Sequence, residues 1–261
     1  VSPPRVFHLL PSQPGIALEG DPVNLWYDPE EKVLVDTGYE GNCDWIAEIP
    51  ELRWILLTHH HPDHAGNLLH LVNRFPEVRI VAPTPSAVDP SLYEKLMPAR
   101  DGESFGGFIA LHTPGHTRDH FAYYHPGKKA LYTGDLILGR GTPWVGPPEG
   151  DMRAYLESLE RTLKLDLIHL YPGHGPPGDP GLILWTIQHR KNRLKEVFEE
   201  IYRRPGLTTQ DLVRRIYEEK EGITFSPVTR IVAEMTMQGY LDYLIEEGQI
   251  VRRGERYEPL K

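Results

Sequence analysis

Cysteine is nearly absent from this chain: among 261 residues only Cys43 carries a thiol. An internal disulfide framework is therefore excluded, and the usage fits a reducing compartment such as the cytoplasm. No run of 18 apolar residues occurs, so neither a transmembrane helix nor a membrane partner is expected. The opening Val1-Ser2-Pro3-Pro4-Arg5 lacks the apolar stretch of a signal peptide. An excess of positive charge is missing as well. Lys and Arg number 28 against 37 Asp and Glu, a net charge of −9, which argues against a protein devoted to tight nucleic-acid binding by phosphate neutralisation. Asn and Gln number five each while proline reaches 25, a balance that fits a heat-stable protein.

Histidine is plentiful, and its placement is informative. The stretch Thr58-His59-His60-His61-Pro62-Asp63-His64 sets four side chains of metal-ligand chemistry at the spacing H-x-H-x-D-H. It follows the apolar run Trp54-Ile55-Leu56-Leu57, read as a buried strand. It precedes a helical pattern from Ala65 to Arg74 with apolar residues at Ala65, Leu68, Leu69, Leu71 and Val72. In an extended loop, residues two apart project the same way, so His59 and His61 can hold one metal together. Asp63 and His64 then remain free to face a second. Imidazole and carboxylate donors suit zinc or a similar divalent ion.

Further donors follow in order, each beside a glycine-containing turn after a strand-like run. His116 lies in Thr113-Pro114-Gly115-His116-Thr117, Asp135 in Tyr132-Thr133-Gly134-Asp135, and His174 in Tyr171-Pro172-Gly173-His174-Gly175. Two divalent ions in one site can deprotonate a bridging water and polarise a scissile carbonyl or phosphoryl group, which makes hydrolysis the expected chemistry.

This ordered set resembles the metallo-β-lactamase superfamily. The resemblance implies an α/β fold, an αββα sandwich, and a dinuclear site holding two divalent ions, zinc foremost. It implies that His59, His61 and His116 bind one ion, that Asp63, His64 and His174 bind the other, and that Asp135 bridges them. It also gives Asp36, in Asp36-Thr37-Gly38, the task of orienting a metal-bound histidine. Asp63 is expected to steer the nucleophile's proton. A metal-bound water or His120 is the candidate for protonating the leaving group; His120 is otherwise a residue supporting a metal ligand or a plain strand histidine.

Within the superfamily the chain looks most like the β-lactamase-like protein 2 group, through Leu138-Gly139-Arg140-Gly141-Thr142, Tyr171-Pro172-Gly173-His174-Gly175, the His189-Arg190 helix and the tail. That resemblance implies endoribonuclease action on single-stranded RNA. Glyoxalase II, which cleaves a thioester, shares the motif and is the rival hydrolase. A nucleic-acid-binding regulator acting through the tail is the rival of another class. Only 38 residues separate Asp135 from His174, too few for the inserted domain of the large RNA-processing nucleases. Flavodiiron proteins carry glutamate where this chain has His61.

In chain order, strands are expected at Arg5–Leu10, Val23–Tyr27, Lys32–Val35, Val78–Val81, Phe108–Leu111, His120–Tyr124, Ala130–Tyr132 and Leu167–Tyr171, with a short helix from Cys43 to Ile49. Pro83 to Gly107 shows no pattern and is read as a long loop, either a plain surface loop or one offering Tyr93, Lys95 and Arg100 to a substrate. Arg140 is a candidate contact for an anionic group. Helices are expected over Met152–Leu165 and Leu182–Tyr202, the latter with Arg190, Lys191, Arg193 and Lys195 on a solvated face. A boundary near Arg204-Pro205-Gly206 divides residues 1–203, the catalytic domain, from 204–261. In the tail, a helix to about Glu219, a second from Ser226 to about Glu247 with a break at Gly239, and a hairpin turning at Gly254-Glu255 suggest a winged-helix-like domain. It carries 9 basic and 10 acidic residues, which favours a structural or substrate-shaping role over DNA reading.

Overall fold

The computed structural model describes residues 3–10, 22–41 and 43–260. Two sheets face each other, with helices on both outer surfaces. The first contains β1 (Arg5–Leu9), β2 (Val23–Asp28), β3 (Val33–Val35), β4 (Trp54–Leu56), β5 (Arg79–Ala82) and β6 (Leu96–Pro98), in that spatial order. Its first three strands pair antiparallel, and β3 to β6 run parallel. The second sheet contains β7 (Ser104–Phe105), β8 (Phe108–His112), β9 (Phe121–His125), β10 (Ala130–Gly134) and β11 (His169–Pro172), with β10 and β11 parallel.

Alternation along the strands builds the layers, because successive side chains point to opposite faces. Trp26, Val33, Val35 and Leu56 of the first sheet meet Phe108, Phe121, Tyr123, Tyr132 and Tyr171 of the second. Leu25, Tyr27, Leu34 and Ile55 point the other way, onto Trp45, Leu68 and Leu71. Leu111, Ala122, Leu131 and Leu170 cover the far side of the second sheet against helices α3 (Met152–Thr162) and α4 (Gly181–Arg203). The expected αββα sandwich is therefore present.

The tail packs on that same helical layer. A five-residue helix (Thr209–Val213), capped reciprocally by Thr208 and Asp211, continues into a wider π turn over Arg214–Lys220. A long helix, Pro227–Glu246, and the hairpin Ile250–Arg253/Arg256–Pro259 follow. Leu212, Met237, Tyr240, Leu244 and Tyr257 share one buried cluster with Tyr155, Ile187 and Val197.

Four expectations change. The helix after the histidine motif is split into α1 (Pro62–Ala65) and α2 (Leu68–Arg74). Gly66 runs so close to the 38–40 turn that a Cβ there would lie 2.3 Å from the Glu40 nitrogen and 2.6 Å from the Gly38 oxygen. Asp63 and His64 accordingly ride on a helical turn begun by Pro62. The stretch from 83 to 107 is organised by turns at Pro85–Ala87 and Pro90–Lys95 and by β6 and β7. Gly239 does not break its helix; it lets the helix approach the chain at Val145, whose oxygen would sit 2.3 Å from a Cβ. Arg190 and Arg193 are not on a solvated face: they are 1 % and 6 % exposed. Among the described residues, no helix is long and apolar enough to cross a membrane.

Candidate metal centre

The site gathers at one end of the sandwich, where strands stop and turns carry the donors. Asp36 follows β3, His59 follows β4, His116 lies between β8 and β9, Asp135 follows β10, and His174 follows β11. Crevices beyond the carboxyl ends of parallel strands are where side chains from separate chain segments can converge. The β11 turn is clamped from the opposite sheet: Trp26 Nε1 donates to the Pro172 carbonyl at 2.9 Å, and Asn24 Nδ2 to the Pro172 and Gly175 carbonyls at 3.0 and 2.7 Å.

Three imidazoles form the first group. His59 Nε2 lies 3.0 Å and His116 Nε2 3.2 Å from His61 Nδ1. Donors about 2.0–2.1 Å from a shared tetrahedral ion would stand about 3.3 Å apart, so the spacing matches a common centre. The second group joins His174 Nε2 and His64 Nε2 to Asp63 Oδ2 at 3.3 and 3.6 Å. Asp135 stands between the groups, with Oδ2 3.7 Å from both His116 Nε2 and His174 Nε2 and Oδ1 3.5 Å from His64 Nε2. His64 Nε2 and Asp135 Oδ1 are buried without a hydrogen-bond partner. Such orphaned polar atoms are costly, and a cation between them satisfies both. The residues fit divalent metal ions.

The outward ring nitrogens are fixed by the chain. Asp36 Oδ2 is 2.8 Å from His64 Nδ1, while Asp36 Oδ1 accepts the Thr58 amide at 2.8 Å. Thr58 Oγ1 lies 3.0 Å from His59 Nδ1. His116 Nδ1 donates to the Trp144 carbonyl at 2.7 Å, and His61 Nε2 faces Glu149 at 3.0 Å. These partners select which nitrogen points inward.

Charge is arranged accordingly. Burial, reinforced by the surrounding imidazoles, holds His59 well below the usual histidine range. Burial also pushes His116 down to about 4, against the opposing pull of Asp135. Both therefore keep free lone pairs, which metal binding requires. For His64, burial disfavours the charge, but the carboxylates of Asp63, Asp36 and Asp135 outweigh it and raise the group to about 10. Burial raises Asp63, yet His64 and His174 hold its carboxyl far below the usual range.

His120 sits elsewhere than expected of a proton donor to substrate. It is fully buried, its Nε2 accepts the Asp135 amide at 3.1 Å, and its Nδ1 lies 2.9 Å from Thr113 Oγ1. With both nitrogens engaged, it positions the Asp135 backbone. Arg140 is exposed, and its backbone lies against Gly175 beside the His174 turn. Lys95 donates to the Pro76 carbonyl, and Tyr93 and Arg100 are exposed; among the described residues none of the three bonds to the cluster. Glu149, Asp119 and Trp144 were not singled out by sequence, since no spacing ties them to the motif. Asp119 lies 3.0 Å from His60, the motif's one histidine outside the two groups.

Comparison with known proteins agrees with this geometry. The model of the metallo-β-lactamase superfamily matches residues 19–174, and the chain belongs to that family. It is 32 % identical to the lactamase-like protein vrtG of Penicillium aethiopicum over 83 % of this chain and 74 % of that one. It is 28 % identical to the β-lactamase-like protein 2 homolog of Caenorhabditis elegans, covering 82 % and 77 %. An atrochrysone carboxyl ACP thioesterase of Aspergillus fumigatus is 34 % identical over 66 % of this chain and 56 % of its own length. Among solved structures, the metallo-β-lactamase family protein TTHA1429 from Thermus thermophilus superposes with a TM-score of 0.75 over 98 % of both chains at 22 % identity. TTHA1623 in a di-iron-bound form gives 0.53 at 29 % identity, covering 68 % and 96 %. The chain is a metal-dependent hydrolase of this superfamily.

Proposed function

We propose that the site holds two divalent ions, zinc by the chemistry of its donors, and that the enzyme hydrolyses an acyl thioester or a related activated ester. His59, His61 and His116 would hold one ion and Asp63, His64 and His174 the other, with Asp135 between the two groups. When bound, such ions make hydroxide available near neutral pH and polarise the scissile group. The chain's own residues prepare that chemistry. Asp36 and Thr58 fix the rings of His64 and His59, His120 holds the Asp135 backbone, and the deprotonated Asp63 is placed to take a proton from the incoming nucleophile.

The observation that carries the choice of substrate is the sign of the charge around the motif. Asp119 and Glu149 stand 3.0 Å from His60 and His61. Among the described residues no Lys or Arg bonds to any of the seven donors. A polyanionic backbone is normally received by cations, whereas a neutral thioester carbonyl needs none. The thioesterase among the relatives supports the same reading. Residues 204–261 are read as a winged-helix-like domain that shapes the substrate side of the site.

Cleavage of single-stranded RNA is the second reading, favoured by the 28 % identity to the β-lactamase-like protein 2 homolog. Both are tested by giving zinc-loaded enzyme an aryl thioester and, separately, a labelled single-stranded RNA, with His59→Ala as the blank. Thioester turnover that vanishes in the variant is expected. RNA cleavage that vanishes in it, without thioester turnover, overturns the first reading in favour of the second.

A further inference from the structure

A buried cation sits behind the metal cluster without an acid to meet it. Arg190, in the middle of α4, is 1 % exposed. Its Nη1 donates to Tyr240 Oη at 2.6 Å, its Nη2 donates to the Pro143 carbonyl, and its Nε has no partner. The guanidinium lies 5.3 Å from the Tyr155 ring centroid and 5.7 Å from that of Tyr240. Among the described residues no carboxylate comes within ion-pair distance of it. Its neighbour Arg193, by contrast, pairs with Glu196 and Glu221 at 2.7 and 2.6 Å. Ring faces and one carbonyl offset part of the cost of burying a charge, but a full counter-charge is missing.

Arg190 also walls a cavity of about 190 Å³, together with Trp144, Tyr217, Ile223 and Phe225. A cavity of roughly 150 Å³ accommodates a benzene ring, so this one suits a single aromatic ring bearing a small substituent. Trp144 contributes a second unsatisfied donor, since its Nε1 is buried without a partner. The same residue borders the metal cluster. Its ring lies parallel to that of His61 at 6.4 Å between centroids, and its carbonyl holds His116 Nδ1. One face of the cavity is thus a wall of the metal centre.

We propose that this cavity is a binding site for a small aromatic carboxylate, the anion meeting the charge of Arg190 and the ring lying among Trp144, Tyr217 and Phe225. It rests on the thioester reading for the view that the ligand is the acid part of a substrate or product. The preference for an anionic aromatic rests on the unpaired guanidinium and on the volume and aromatic lining of the cavity.

The test is calorimetric titration of the metal-loaded full chain with benzoate, benzamide and acetate. Benzoate is expected to bind at least tenfold more tightly than either. Benzamide keeps the ring without the charge, and acetate keeps the charge and can reach the metal without filling the cavity. Arg190→Gln is expected to weaken benzoate at least tenfold. Ile223→Trp, on the cavity wall at a position 40 % exposed, fills the cavity while the Arg190 residue itself is retained, and is expected to weaken it as much. Equal affinity for benzoate and acetate, equal affinity for benzoate and benzamide, or an unchanged affinity in Ile223→Trp overturns the proposal. Benzoate binding lost in Ile223→Trp, in a protein that cleaves no thioester, removes the thioester reading and leaves the pocket. Thioester turnover with benzoate indifferent to the cavity does the reverse.

Discussion

Asp36 Oδ2 lies 2.8 Å from His64 Nδ1, and Asp36 itself adopts φ +62°. A non-glycine residue in the left-handed region is uncommon, though Asp and Asn tolerate it best. The conformation persists because both carboxylate oxygens are engaged, one on His64 and one on the Thr58 amide. The turn after β3 thereby reaches across to orient a ring on α1.

Asp36→Asn preserves the backbone preference and removes the charge behind His64. Metal affinity should fall about 10- to 100-fold, the usual effect of losing such a partner. Metal content after dialysis against a graded series of chelator concentrations measures it. Affinity equal to that of the parent would mean that His64 is not held by Asp36 in the loaded enzyme.

His120→Leu should lower turnover by disturbing the Asp135 backbone, because the amide would lose a buried acceptor. A positioning role predicts an unchanged shape of the rate–pH profile. A proton donor would instead lose one limb of that profile. The profile therefore separates the two roles even if the variant is slow.

Lys128 joins the sheets far from the metal. Its ammonium is 2.6 Å from Asp28 and 2.9 Å from Glu30, and the Asp28 carboxylate is buried. Burial disfavours its charge, but the hydrogen bonds to Asp28 and Glu30 outweigh it and raise the group above its ordinary value. A raised folded-state pKa contributes stability that is complete below the unfolded value of about 10.4 and is lost as pH rises through the folded one. Denaturant melts should therefore show a loss of stability above about pH 10.4 that is smaller in Lys128→Gln. That variant should be destabilised at neutral pH by about 3 kcal/mol, since Asp28 is left buried without its cation.

Gly239→Ala should cost about 1–3 kcal/mol through overpacking, because its Cβ would collide with the Val145 oxygen. The same substitution at Gly222, where nothing lies within 4 Å but φ is +72°, strains only the local backbone. Melting curves of the two variants compare a tertiary contact with a conformational preference. A Gly239→Ala protein as stable as the parent would mean that the helix can lift from residues 144–146.

The sequence alone marked the candidate donors and their order. His59, His61, Asp63, His64, His116, Asp135 and His174 were legible because each sits in or beside a turn with glycine or proline, next to an apolar run. Local chemistry is enough to mark such places, and the strand alternation was legible for the same reason. What it could not determine was anything made by distant residues meeting. Trp144, 28 residues from His116, fixes that ring through a carbonyl that every residue type possesses. Glu149 meets His61 across 88 positions. Arg190 reads as one charge in a basic helical run, and only the packing of Tyr155 and Tyr240 around it makes it a buried, unpaired cation. Burial and electrostatic pairing belong to the assembled molecule, so tertiary structure alone decided them.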